Sequence, residues 1–71
     1  MVMHVVTYRV KDIGRDANYY RDKAKQLIGS DAYVEVHPGL VRFRFTRELS
    51  ESELEELDDF IKEVADGVRQ H

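Results

Sequence analysis

The chain has 71 residues, no cysteine and a formal net charge of −3. A chain of this length supports one domain with one modest core, and the lack of thiols excludes disulfides and thiolate-bound zinc or iron–sulfur sites. Its opening segment MVMHVV is too short for a secretion signal, and no apolar run approaches the roughly 20 residues of a membrane span. We therefore expect a single soluble, cytoplasmic domain over residues 1–71 with no membrane partner, whose marginal stability would gain from self-association.

Charge is unevenly distributed along the chain. Residues 1–47 hold nine Lys/Arg against five Asp/Glu, a net +4, whereas residues 48–71 hold two against nine, a net −7. The basic half could offer a surface to an anionic partner. The simpler interpretation is that a basic and an acidic element pack side by side, because runs of charge are usually solvated faces.

The first predicted element is a strand from Val2 to Val10, a segment rich in β-branched residues. Alternate residues of a strand point to opposite faces of the sheet. One face carries Val2, His4, Val6, Tyr8 and Val10, and the other carries Met3, Val5, Thr7 and Arg9. Neither face is cleanly polar, so this strand should find some cover on both sides.

An amphipathic helix is predicted between Gly14 and Gly29, where apolar residues recur at spacings of three and four. These apolar positions are Ala17, Tyr20, Ala24, Leu27 and Ile28. Gly29 is a natural helix stop and is followed by a turn at Ser30 and Asp31.

Residues 32–46, AYVEVHPGLVRFRFT, form two alternating runs hinged on Pro38 and Gly39 and predict a hairpin. The buried face would hold Ala32, Val34, Val36, Val41, Phe43 and Phe45, and the outward face Tyr33, Glu35, His37, Arg42 and Arg44. Pairing Val36 with Val41 puts Glu35 across from Arg42. Because proline before glycine favours a type II turn, whose twist disagrees with a tight hairpin, we expect a four-residue loop.

The last predicted element is a helix that begins at Ser50, where Ser50 and Glu53 form a capping-box pattern. Its apolar stripe is Leu54, Leu57, Ile61, Val64 and Val68, and its outer face is acidic. Gly67 is expected to fray or end the helix.

The predicted order is therefore strand, helix, strand, strand, helix, an α+β arrangement. A right-handed crossover makes the first two strands parallel, and the second hairpin strand fits between them. The sequence predicts a βαββα fold with a three-stranded sheet of order 1-3-2 and both helices on one face, which resembles a truncated ferredoxin-like fold. Its first strand would be an apolar edge that should pair with a second copy or with an extended segment of another protein.

No motif in the chain points to catalysis or to a cofactor. The histidines His4, His37 and His71 show no ligand spacing, the glycines form no phosphate loop, and no nucleophile elbow exists. Glu55 and Asp59 lie one turn apart on a solvated helix face, without the cleft that a catalytic carboxylate pair needs. We therefore expect a non-enzymatic protein with no catalytic, cofactor or metal site.

One metal-binding alternative depends on the start of the chain. Removal of Met1 would leave Val2-Met3-His4, a free amine with histidine third, and such a start chelates copper(II) or nickel(II) in tetragonal nitrogen geometry. Strand pairing would compete for the same main-chain amides, so we place this alternative behind the others.

The outward face of the predicted sheet is the leading candidate for function. We expect a partner-binding surface formed by Val5, Thr7, Arg9, Tyr33, Glu35, Arg42 and Arg44. Its tyrosine and arginines are typical of interface centres. We interpret the chain as a protein-interaction or regulatory module, a homodimer or a binder of another protein, that associates through its first strand or its open sheet face.

The alternative function is binding of single-stranded nucleic acid. Tyr33 would stack on bases while Arg42 and Arg44 hold phosphates. An acidic chain is a poor polyanion binder, and Glu35 across from Arg42 would satisfy that arginine structurally, so this function stays second.

Overall fold

In the computed structural model, which describes residues 3–12 and 14–70, the chain forms four strands and two helices. These residues form β1 (His4–Arg9), α1 (Ala17–Ile28), β2 (Ala32–His37), β3 (Leu40–Phe45), α2 (Glu51–Ala65) and β4 (Val68–Arg69). The predicted α+β class is confirmed. The part of the predicted first strand that falls on Val2 lies outside the described residues.

The described strands form one open sheet of order β2-β3-β1-β4. All neighbouring strands are antiparallel. The predicted order of the first three strands, 1-3-2, is correct, but the prediction of a three-stranded sheet is wrong because β4 pairs with β1. Tyr8 lies opposite Arg69 and Arg9 opposite Val68. β1 is therefore an inner strand over its second half, and among the described residues nothing pairs with the outer edge of its first half.

The fourth strand exists because α2 ends earlier than its apolar pattern predicts. Asp66 takes a left-handed conformation with φ of 50° and stops the helix, so Val68 lies in β4 and not on the helix stripe. Gly67 then passes close to the core. A Cβ atom there would overlap Ile61 Cγ2 and lie 2.9 Å from Val10 Cγ1. The chain can turn from α2 into β4 at this point only because residue 67 has no side chain.

The hairpin loop has two residues, and the expected four-residue loop is wrong. His37 pairs with Leu40, which leaves only Pro38 and Gly39 in the turn. Gly39 has φ of 79°, a left-handed conformation that glycine adopts without strain. The flanking strands keep the predicted pairing of Val36 with Val41 despite the turn's twist preference, because sheet pairing with β1 holds β3 in place.

Both helices cover one face of the sheet, as predicted. The fully buried large side chains of the described residues are Tyr8, Tyr20, Val41, Phe43, Phe45, Leu57 and Ile61. Phe43 lies at the centre, with the rings of Tyr8 and Tyr20 packed edge-on at 5.9 and 6.3 Å between centroids. Leu27, predicted in the stripe of α1, is instead exposed. No helix in the described part of the chain has the length and apolarity needed to cross a bilayer.

Candidate protein interaction surface

No helix or strand of the described residues covers the sheet face opposite the two helices, and we call it the open face. It is formed by Val5, Thr7 and Arg9 of β1, Tyr33, Glu35 and His37 of β2, Leu40, Arg42 and Arg44 of β3, and Val68 of β4. The structure places all seven residues of the predicted surface there, because their alternation along each strand is opposite to that of the core residues.

Strand register arranges these side chains in rows across the sheet. The first row is Tyr33, Arg44 and Val5; the second is Glu35, Arg42 and Thr7; the third is His37, Leu40, Arg9 and Val68. Each row therefore joins residues that are far apart in sequence. The third row adds His37, Leu40 and Val68 to the predicted set. The sequence did not predict Val68 on the open face, because its spacing also fits the apolar stripe of α2. The signal available in the sequence was Asp66-Gly67, a pair that favours the end of the helix before Val68.

The single carboxylate of the open face is bound differently from the prediction. Glu35 lies opposite Arg42 in register, as expected, but its Oε1 accepts from Arg44 Nη2 at 2.9 Å. Arg42 instead donates a long 3.4 Å hydrogen bond from Nε to Thr7 Oγ1. Diagonal neighbours on one sheet face are within reach of long side chains, which explains the exchange of partners. Arg44, not Arg42, is therefore the arginine with an internal structural explanation.

Two arginines of the open face have no acidic partner among the described residues. Neither Arg9 nor Arg42 forms an ion pair with any carboxylate of residues 3–12 and 14–70. With Arg44 neutralised by Glu35, their two charges leave the face net positive. The acidic outer side of α2 lies on the opposite side of the sheet, so it does not cancel this local charge.

The open face also exposes large apolar side chains. Tyr33 is 68% exposed, Val5 48% and Val68 71%, whereas the core residues of the same strands are almost fully buried. At one end of the face, Arg9, Pro38, Leu40 and Val68 line a shallow open groove. A surface that combines exposed aliphatic groups, one tyrosine and unpaired arginines has the composition of protein interface centres.

A partly buried polar cluster on the other side of the sheet has a structural role. The hydroxyl of Tyr8 donates to Asp58 Oδ1 at 2.5 Å, and Arg69 Nη2 lies 3.6 Å from Asp58 Oδ2. Burial, followed by the hydrogen bond to Asp58, raises the pKa of Tyr8 far above its ordinary value. The raised pKa favours the neutral phenol of Tyr8, and the cluster ties β1, α2 and β4 together.

The described part of the chain contains no cluster of metal ligands. No group of three or more His, Asp or Glu side chains there is arranged so that it could hold a metal ion. The imidazole of His4 is already engaged, since its Nδ1 accepts from the backbone N–H of Leu49 at 2.9 Å, and His4 pairs with Phe45 in the sheet. The copper pattern at the chain start also needs Val2, which lies outside the described residues, so it stays a prediction.

The fold and the surface define a small α+β domain with an open four-stranded antiparallel sheet and a basic, partly apolar outer face. Comparisons of the chain with models of known protein families, with curated proteins and with solved structures gave no match. The charges and exposed side chains of the open face are therefore the basis for a proposed function.

Proposed function

We propose that this chain is a non-enzymatic protein-interaction module whose open face binds an acidic segment of a partner protein. The observation that carries the proposal is the pair Arg9 and Arg42, two arginines without a carboxylate partner among the described residues. They are flanked by exposed Val5 and Val68 and by half-buried Leu40. A partner segment that alternates acidic and apolar side chains would satisfy both features at once.

The architecture supports a further proposal about the fold. The order strand-helix-strand-strand-helix-strand, with sheet order β2-β3-β1-β4, fits a ferredoxin-like plan in which β4 supplies the strand that the sequence prediction lacked. Many unrelated functions use this plan, so it carries no function by itself. In this chain the plan places both helices on one face of the sheet and so leaves the open face without helices. The cytoplasmic location also stays a prediction from composition.

Two copies of the chain are poor partners for each other through this face. If two open faces stacked, the three arginines and one glutamate of one copy would face the same four residues of the other copy. Bringing these net positive surfaces together costs free energy unless the charges are screened. The first strand is also a weaker route than the sequence suggests. Gln70 N–H already donates to Thr7 O at 2.8 Å, so within the described part of the chain the unpaired edge of β1 is confined to the stretch before Thr7.

Single-stranded nucleic acid is the second candidate, and Tyr33 is the observation in its favour. Its ring is 68% exposed and lies opposite Arg44 in register. However, among the described residues it is the one Phe or Tyr side chain on the open face, because Tyr8 and Tyr20 are buried and Tyr19 packs on the helix side. One stacking platform beside a carboxylate is weak support for binding a polyanion, so the acidic protein segment is the better occupant.

The proposal is tested by fluorescence anisotropy with a labelled synthetic peptide of alternating glutamate and leucine. The double variant Arg9→Ala plus Arg42→Ala should bind this peptide about tenfold more weakly than the wild type, because it removes the two unpaired charges of the open face. The matched control is Lys23→Ala plus Lys62→Ala, which removes the same charge from the two helices and should leave the affinity unchanged.

Two results would contradict the proposal. Equal losses in both double variants would show that binding follows net charge alone and not the open face. Tighter binding of oligo(dT) than of the peptide, with steep salt dependence that the Arg9 and Arg42 substitutions reduce, would favour the nucleic acid alternative.

A further inference from the structure

Within residues 3–12 and 14–70, no strand pairs with the outer edge of β2. β2 is the last strand of the sheet on its side and pairs only with β3. Because His37 and Leu40 close a two-residue turn, the odd-numbered residues of β2 direct their N–H and C=O groups towards β3. Ala32, Val34 and Val36 therefore direct theirs outward, and no main-chain hydrogen bond from elsewhere in the described chain reaches them.

This edge lacks the features that usually prevent strands from pairing with other chains. The six residues of β2 include no proline and no lysine, and the strand has no bulge that would twist it away. Its one formal charge, Glu35, is already bound to Arg44. Val34 and Val36, on the helix side, are only half-buried because nothing lies beyond the edge to cover them.

We infer that a second copy of this chain pairs with the β2 edge, antiparallel and across a two-fold axis. Val34 then lies opposite Val34 of the partner subunit, and Ala32 lies opposite Val36 of the partner subunit. All three outward-directed residues form main-chain hydrogen bonds, about six bonds across the axis, and the two sheets become one. The inference uses the backbone of β2 and does not depend on the acidic partner proposed for the open face.

Charge selects this register over its neighbours. It places Tyr33 opposite Glu35 of the partner subunit and Asp31 opposite His37 of the partner subunit, with no like charges in direct opposition. A shift of two residues in one direction sets Glu35 against its own copy and brings Pro38, which has no N–H, into the ladder. A shift in the other direction sets Asp31 against Glu35 of the partner subunit. Shifts by one residue would turn apolar side chains to the wrong face.

The experiment uses cysteine cross-linking, since the chain contains no cysteine of its own. In the inferred register the Cα atoms of the two Val34 residues are about 5.5 Å apart, a separation that a disulfide spans. Val34→Cys should therefore form a covalent dimer under mild oxidation. The matched control Val36→Cys should stay monomeric on denaturing gels, because its two copies lie four positions apart along the strands.

A second pair of variants separates this edge from the edge of β1. Val34→Pro removes an outward N–H that forms no bond within the hairpin, so it should give a folded monomer. Val5→Pro removes the corresponding outward N–H of β1 and should leave the dimer intact in light scattering. Thermal unfolding by circular dichroism checks that both variants fold. If either fails to fold, Tyr33→Lys and Tyr33→Glu replace them: the lysine should strengthen dimerisation opposite Glu35 of the partner subunit and the glutamate should weaken it.

Three results would overturn the inference. The first is a wild-type chain that light scattering shows to be a monomer up to roughly millimolar concentration, where even a complex with a millimolar dissociation constant would form. The second is equal cross-linking of the Val34→Cys and Val36→Cys variants. The third is loss of the dimer in Val5→Pro but not in Val34→Pro. None of these affects peptide binding to the open face, so failure of this inference is distinguishable from failure of the proposed function.

Discussion

The approach of α2 to β1 leaves no space for a side chain at position 67. A Cβ there would meet Ile61, Val10 and, at 3.1 Å, the backbone oxygen of Arg9. We expect Gly67→Ala to lower the free energy of unfolding by about 2–3 kcal/mol, the upper part of the usual cost of adding volume to a packed core. Urea unfolding followed by circular dichroism measures the loss.

A glycine at the end of α1 provides the control for that substitution. Gly29 has φ of 79° and no atom within 4 Å of an added Cβ, so Gly29→Ala meets conformational strain alone. Its cost should be about 1 kcal/mol, below that of Gly67→Ala. If the two substitutions cost the same, or if Gly67→Ala costs nothing, the close packing at the α2–β4 turn is not a constraint.

At the scale of the element, the start of α2 is held by a charged cap. Glu53 accepts from Arg47 Nη2 at 2.6 Å and from the backbone N–H of Ser50 at 2.9 Å, completing the predicted capping box. These two bonds, the first being the larger cause, lower the pKa of Glu53 from its ordinary 4.5 to about 2. The sequence predicted the box but not Arg47, because the approach of Arg47 depends on the path of the chain after β3.

This lowered pKa determines a pH dependence with a defined sign. A carboxyl group whose pKa is lower in the folded state stabilises the protein above its unfolded pKa and loses that contribution as the pH falls. Glu53→Gln should therefore be less stable than the wild type at neutral pH, with the difference shrinking from pH 4.5 towards pH 2. Urea unfolding at several pH values measures it. Glu51→Gln, in the same helical turn, is the control; if its curve has the same pH profile, general charge reduction and not the cap explains the effect.

The elements also show what the sequence could predict and what it could not. Side-chain parity along β2 and β3, the stop of α1 at Gly29, the Ser50 cap of α2 and the pairing of Val36 with Val41 all follow from local pattern, and the structure confirms them. The N-cap Asp16 and the C-cap Asp66 were not predicted. β4 could not be predicted because two residues carry no periodicity, and its existence depends on contacts of Gly67 with Ile61 and Val10. The ion pair of Glu35 with Arg44 in place of Arg42 likewise could not be predicted from the sequence, since the Glu35 side chain can reach both arginines.

At the scale of the whole molecule, the charge asymmetry of the chain becomes an asymmetry in space. The basic strands turn Arg9, Arg42 and Arg44 to the open face, while α2 turns its acidic side to solvent beyond the opposite face. The sequence interpretation, in which opposite charges simply pack side by side, does not explain the two unpaired arginines. A sheet with helices on one side gives them a flat surface of their own, and an added copy at the β2 edge would extend that surface.

The central claim is that the open face binds an acidic, partly apolar protein segment. The most direct measurement is an NMR titration of the isotope-labelled chain with the glutamate–leucine peptide. We expect the shift changes to cluster on Val5, Thr7, Arg9 and Arg42, including the arginine side-chain Nε signals, while the amides of α2 stay unchanged. Changes confined to the helices, or no change in the open face at peptide concentrations that saturate the anisotropy signal, would contradict the account.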